Sequence, residues 1–138
     1  MDNNTKLPVG YWIKQTDRLL TEKIDEIQSA FGLTRTGWQL LNSINENSPA
    51  KRDMLIQLLL PFSDKNNTIQ VLAEFNQMQI TTVSDQNEIT LTEKGKQLFI
   101  ACFEKQKHFR QKAMQNISEQ EYQTTLATLQ KIITNIEE

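Results

Sequence analysis

Apolar residues recur at helical spacing near both ends of this chain. In the first stretch the spacing is seven, four, three and four residues, which places one apolar stripe along a helix running from Pro8 to about Phe31. This stripe consists of Ile13, Leu20, Ile24, Ile27 and Phe31. The last stretch repeats in a heptad-like way and predicts another long helix with an apolar seam. The seam consists of Tyr122, Leu126, Leu129, Ile133 and Ile136.

Shorter helices are predicted between these two long ones. Gly32 is a plausible stop for the first helix, and Thr34 is placed to cap a second. Ser48 and Pro49 favour the start of a short third helix, which ends before Pro61. Its predicted inner face holds Met54, Leu55, Leu58 and Leu59. A fourth helix is predicted over about residues 66–79, with a core side of Ile69, Leu72, Phe75 and Met78.

The stretch 80–91 has a different character, because its Ile, Val and Thr side chains suit a pleated backbone. Polar residues 85–88 interrupt it, so two short strands joined by a turn are predicted. Thr92 then caps a long fifth helix that reaches about Gln115. Ser118 and Glu121 form a capping box that starts the sixth helix. The chain is therefore predicted to be mainly α-helical, with this hairpin as its only β-structure.

Length and composition narrow the class of protein. With 138 residues the chain is expected to form a single domain, and its one cysteine excludes an intramolecular disulfide. No apolar run is long enough to cross a bilayer and residues 1–8 are polar, so we expect a cytoplasmic protein without a membrane partner. The sequence shows no Ser/Cys-His-Asp set, no phosphate-cradling glycine loop and no metal cluster. We therefore expect no enzyme activity, no cofactor and no metal site.

The order of these elements resembles the MarR family of winged helix-turn-helix transcriptional regulators. The motif Leu91-Thr92-Glu93-Lys94-Gly95 is similar to the family's Leu-Thr-x-x-Gly junction between the wing and the fifth helix. Leu33-Thr34-x-x-x-Trp38 resembles the opening of its second helix, and Asp64-Lys65-Asn66-Asn67 resembles the start of its recognition helix. The resemblance implies a winged helix-turn-helix over residues 33–96, flanked by dimerisation helices over 1–32 and 97–138. It also implies a homodimer that binds a pseudo-palindromic double-stranded DNA operator and represses transcription.

The resemblance assigns DNA-binding roles to particular residues. Asn and Gln amides can pair bidentately with adenine in the major groove, whereas cations contact phosphates. The expected base-reading face of the recognition helix consists of Asn66, Asn67, Thr68 and Gln70. The expected phosphate contacts are Lys51, Arg52 and Lys65, and Gln86 with Asn87 forms the wing tip.

The chain departs from the family pattern in its charge. Residues 80–91 contain no Lys or Arg, where the family commonly places an arginine in the wing, and Gln79 stands where a glycine usually ends the recognition helix. Residues 48–96 carry five basic and six acidic side chains, a net charge of 5 − 6 = −1. Phosphate neutralisation supplies much of protein–DNA affinity. The alternative is therefore a MarR-like fold with weak or lost DNA binding, acting as a ligand-sensing or protein-interaction module.

A ligand site is a further expectation from the resemblance. The family binds small aromatic or anionic effectors between its dimer helices and winged domain, and Tyr11, Trp12, Arg18 and Trp38 could line such a pocket. The competing interpretation, which we favour, places both tryptophans in the core and Arg18 on the surface. For Cys102 we likewise favour a structural role. Its apolar neighbours Phe99 and Phe103 indicate a buried, unreactive thiol rather than a redox sensor.

Overall fold

The computed structural model describes residues 6–138, which form six α-helices and a small antiparallel sheet. The helices are α1 (Val9–Ala30), α2 (Arg35–Asn47), α3 (Arg52–Leu59), α4 (Lys65–Gln77), α5 (Glu93–Ala113) and α6 (Glu119–Glu137). The strands are β1 (Ala50–Lys51), β2 (Thr81–Val83) and β3 (Glu88–Leu91), in the sheet order β1-β3-β2. Two compact units divide at the boundary between Gln106 and Lys107. No helix within residues 6–138 is both long and apolar enough to span a membrane.

The fold class predicted from the sequence is confirmed. A helix-turn-helix formed by α3 and α4 leads into the β2–β3 hairpin, and the long helices α1, α5 and α6 flank this segment in the sequence. The core of the first unit consists of wholly buried leucine and isoleucine side chains from α2 and α3, closed by Phe75 of α4 and Ile89 of β3. This core holds α4 in place while its other side faces solvent.

Three of the predicted helix ends are found where the sequence places them. Gly32, at φ +76°, ends α1 in a Schellman motif, in which Leu33 N donates to Gln28 O and Gly32 N to Ser29 O. Thr34 Oγ1 caps α2 by accepting from Gly37 N at 3.0 Å. Ser118 and Glu121 form the predicted capping box of α6.

The start of the third helix was predicted wrongly. Ser48 ends α2, and Ala50 and Lys51 form β1, which pairs with Ile89 and Glu88 of β3. The hairpin is therefore not the only β-structure. The local preference of proline for a helix start is weak compared with pairing the free edge of β3 and burying Ala50 completely.

The buried faces of α3 and α4 are rotated from the predicted ones. In α4 the buried residues are Thr68, Val71, Leu72 and Phe75, which follow the i, i+3, i+4, i+7 spacing of one helix face. The predicted set advanced by threes, so it drifted around the helix and included Met78, which is 51% exposed. In α3 Ile56 is buried instead of Met54 and Leu58, because this two-turn helix packs a narrow stripe consisting of Leu55, Ile56 and Leu59.

Candidate nucleic-acid interface

The exposed side of α4 begins at a well-capped helix start. The Asp64 carboxylate accepts from Asn67 N at 2.7 Å and fixes the first turn. Lys65, Asn66, Asn67 and Gln70 are exposed along that turn and the next one. An exposed, polar N-terminal half is the part of a recognition helix that contacts base edges in the major groove.

The predicted base-reading residues do not have equally available side chains. Asn67 Nδ2 already donates to Ser63 Oγ at 2.8 Å and to Thr36 Oγ1 at 3.3 Å. Thr68 is 0% exposed, and its hydroxyl donates to Asp64 O, so this predicted contact cannot present its side chain to DNA. The amide of Gln70 makes no hydrogen bond with any of residues 6–138. Gln70 is therefore better placed than Asn67 to offer both its donor and its acceptor to a base.

A groove of about 570 Å³ lies between the start of α3, one side of α4 and the hairpin. It brings together four of the predicted DNA-binding residues, namely Lys51, Arg52, Gln86 and Asn87. Asn76, which sequence reasoning missed, lines the same groove from α4. Its position seven residues after Ile69, on the same helix face, is the signal that could have identified it.

The positive charge in this groove is partly opposed by neighbouring carboxylates. Lys51 stands directly across the sheet from Glu88, and Asp53 follows Arg52 at the start of α3. The hairpin turn adds Asp85 and no cation. Ser84 Oγ accepts from Gln86 N and Glu88 N at 3.2 and 3.1 Å, and Asn87 has φ +61°. The turn is thus short and internally bonded, and it presents the amides of Gln86 and Asn87 with the Asp85 carboxylate and no cation.

A second groove, of about 660 Å³, lies on the opposite side of α4. Asn67 and Gln70 line it from α4, the first turn of α2 forms another wall, and Lys94 reaches it from α5. Lys94 Nζ donates to Met78 O at 2.9 Å, so this cation is bound to the end of α4 rather than directed to solvent. Helix α4 therefore stands between two grooves, and of these two only the groove beside the hairpin has unengaged cations.

Solved structures with the same architecture identify the fold. No family model and no curated protein matches the sequence. MepR from Staphylococcus aureus, a transcription regulator of the multidrug efflux pump MepA, superposes with a TM-score of 0.75 at 17% identity, covering 94% of this chain and 99% of MepR. The protein has the MarR-type winged-helix fold. A MepR–DNA complex matches at TM-score 0.67 and 17% identity, over 95% of this chain and 98% of that one. A MarR family protein from Mycobacterium tuberculosis, in complex with DNA, matches at 0.70 and 15%, over 91% and 98%.

The aromatic residues proposed for a MarR-type effector pocket fall into two separate groups. Tyr11 and Trp12 meet edge-to-face at 5.0 Å and are 43% and 38% exposed, so Trp12 is not the core residue we favoured. Trp38 stacks on Phe99 at 5.3 Å against the core, as that interpretation predicted. Arg18 is exposed and paired with Glu22 at 3.2 Å, also as we expected of a surface charge. None of these four residues lines either groove beside α4.

Cys102 is a buried residue of the MarR-type core. It is 0% exposed, and burial raises the pKa of its thiol, although the hydrogen bond from Gln106 Nε2 at 3.3 Å opposes that rise. Gln106 Oε1 in turn accepts from Gln28 Nε2 at 3.3 Å, which links α5 to α1. A buried thiol with a raised pKa forms little thiolate, so Cys102 lacks the properties of a redox sensor.

Proposed function

We propose that this protein is a DNA-binding transcriptional regulator that binds a pseudo-palindromic operator as a homodimer and represses transcription. Two observations support DNA as the partner. Structural neighbours with the same fold have been solved with DNA, and α4 presents an exposed polar face beside a groove that holds Lys51 and Arg52. In this proposal α4 enters the major groove, and the groove beside the hairpin faces the phosphate backbone.

The observation that carries the proposal is the free amide of Gln70. It is exposed on the second turn of α4 and is not engaged by any described neighbour, unlike that of Asn67. A glutamine amide can donate to N7 and accept from the N6 amino group of adenine in the major groove. Asn66 and Lys65, exposed one turn earlier, would contact neighbouring bases or phosphates. Base preference therefore rests on very few side chains.

A homodimer is supported by the apolar surface that the single chain leaves exposed. No residue of α6 is buried, and its seam includes Tyr122, Leu126 and Ile133, which are 40%, 38% and 54% exposed. In α1, Val9, Ile13 and Leu19 are also at least 43% exposed. Exposed apolar stripes of this kind mark association surfaces. We assign α1, α6 and the part of α5 after residue 97 to a dimerisation region.

The experiment that tests DNA reading compares a selected operator with a scrambled duplex of the same length. Wild-type protein should prefer the operator. The Gln70→Ala variant should lose about 1–3 kcal/mol of binding free energy on the operator, and its affinity for the scrambled duplex should change little. Gln77→Ala is the matched control, because it removes the same amide from an exposed position at the other end of α4. Equal losses for Gln70→Ala on both duplexes would refute the base-reading role.

A second candidate is favoured by the charge of residues 48–96, which is −1, and by a wing tip that carries Asp85 and Glu88 without a cation. These features support a MarR-like protein with weak DNA binding that works as a ligand-sensing or protein-interaction module. The same operator experiment separates the two candidates. A wild type that shows no preference between the duplexes at any salt concentration supports this second candidate.

Release of the operator by a small aromatic or anionic ligand is the finer part of the proposal. Exposed Tyr11 and Trp12 support it, since their rings are open to a ligand, whereas Trp38 is covered by Phe99. An aromatic acid that binds there should quench the fluorescence of Trp12 saturably and raise the melting temperature. The Trp12→Phe variant should lose the quenching. Quenching that persists in Trp12→Phe would move the ligand site to Trp38.

A further inference from the structure

Three hydrogen bonds join the end of α4 to the start of α5. Lys94 Nζ donates to Met78 O at 2.9 Å, and Thr92 Oγ1 donates to Gln79 O at 2.6 Å. Thr92 N also donates to Ile80 O at 3.0 Å. These three acceptors are consecutive carbonyls at the helix end, where no further turn of helix exists to bond them.

The helix end that these contacts hold is an unusual one. Gln79 adopts φ +62°, and α4 closes in a Schellman motif, with Ile80 N donating to Phe75 O at 2.8 Å. The left-handed conformation disfavours a side chain with a β-carbon, so this end needs support from elsewhere. Lys94 provides it electrostatically as well, because a cation near the negative end of a helix dipole is favourable.

Thr92 forms hydrogen bonds with the end of α4 and with the start of α5. Its hydroxyl donates to the end of α4 and accepts from Gly95 N at 3.0 Å, which caps the first turn of α5. Gly95 has no room for a β-carbon, because an added Cβ would collide with the carbonyl oxygen of Ile80. The joint is therefore closed by backbone contact and side-chain bonds together.

We propose that Thr92 and Lys94 are positioning residues for DNA reading, which set the angle of α4 through its joint with α5. This inference rests on the proposed function, since it assigns these residues a role in operator binding. Lys94 lines the second groove together with Gln70, and a lysine there would ordinarily be taken for a phosphate contact. Because Lys94 Nζ is bonded to Met78 O, we assign this lysine to the support of the α4 end rather than to a phosphate contact.

The salt dependence of binding distinguishes these two roles of Lys94. Lys94→Met keeps the length of the side chain and removes its charge. A positioning lysine predicts an operator affinity about three- to tenfold weaker with an unchanged slope of log affinity against log salt. A phosphate-binding lysine predicts a slope that is shallower by about 1.8 for two protomers. Lys96→Met is the matched control, because Lys96 is an exposed lysine of α5 whose side chain makes no hydrogen bond within residues 6–138.

A second measurement reports on the joint without DNA. Amide hydrogen exchange at Gln79 and Ile80 should be several-fold faster in Lys94→Met and Thr92→Val than in wild type, and unchanged in Lys96→Met and Thr92→Ser. The serine variant retains the hydroxyl. Unchanged exchange in Lys94→Met, or a shallower salt slope, overturns the positioning role while leaving operator binding intact. A wild type without operator preference overturns the proposed function itself.

Discussion

Two glycines offer a sharp test of the joint between α4 and α5, because both occupy the third position of a helix whose first turn is capped by a threonine. Gly37 N donates to Thr34 Oγ1 and Gly95 N donates to Thr92 Oγ1, both at 3.0 Å. Replacing either by alanine changes helix propensity by the same amount, a gain of up to about 1 kcal/mol. Any difference in the free energy of unfolding between the two variants therefore reflects the atoms that the new methyl group contacts.

The surroundings of the two methyl groups differ. A Cβ at Gly37 would meet Thr34 Oγ1 at 3.4 Å and Phe75 Cζ at 3.7 Å, which are ordinary contacts. At Gly95 it would collide with Ile80 O and lie 3.1 Å from Ile80 C, backbone atoms that are held by Thr92. Overpacking of this kind costs about 1–3 kcal/mol. Gly95→Ala should be about 2 kcal/mol less stable than Gly37→Ala.

Thermal unfolding at one fixed protein concentration measures this difference. The concentration must be fixed because association shifts the melting temperature. A difference of 2 kcal/mol corresponds to a melting temperature lower by about 8 °C for a chain of this size. Gly37→Ala should melt at or slightly above the wild-type temperature. Equal melting temperatures for the two variants would refute the close approach of Gly95 to Ile80, and with it the rigid joint.

Three further predictions concern other parts of the chain. Gln79→Gly should stabilise the protein by about 0.5–1 kcal/mol in urea unfolding, because it relieves a left-handed side chain, while Asn87→Gly should change little since asparagine tolerates that conformation. Cys102 should react with a thiol reagent many-fold more slowly in native than in urea-unfolded protein; equal rates would contradict its burial. Ile133→Asp should yield a folded monomer in sedimentation, since Ile133 is 54% exposed in the single chain. Thr124→Asp, on the opposite side of α6, should leave a dimer, and a wild type that sediments as a monomer at micromolar concentration would remove the dimer.

The sequence predicted those features that depend on local chemistry. Thr34 and Ser118 cap their helices because a short oxygen-bearing side chain can reach the free N–H groups within three residues. Gly32 ends α1 because a left-handed residue is needed there. The winged-helix fold was predicted from the order of the elements, through its resemblance to the MarR family.

Features that depend on contacts between distant residues were not predicted. The pairing of Ala50 with Ile89 joins residues far apart in the sequence, and no local sequence pattern predicts a strand of only two residues. The engagement of Asn67 by Thr36 likewise depends on how α2 packs beside α4. Sequence patterns therefore indicated which side chains could read DNA, but not which of them the fold had already engaged.

Operator binding by a protein with so few cations is tested most directly by its salt dependence. In the proposed homodimer Lys51, Arg52 and Lys65 would provide six phosphate contacts, so log affinity for the operator should fall against log salt with a slope of about −5.4. Arg52→Ala should reduce the slope to about −3.6 on operator and scrambled DNA alike, because phosphates carry no sequence information. Gln70→Ala should keep the wild-type slope and lose the preference for the operator. A wild type that binds both duplexes equally at every salt concentration would contradict the proposed regulator.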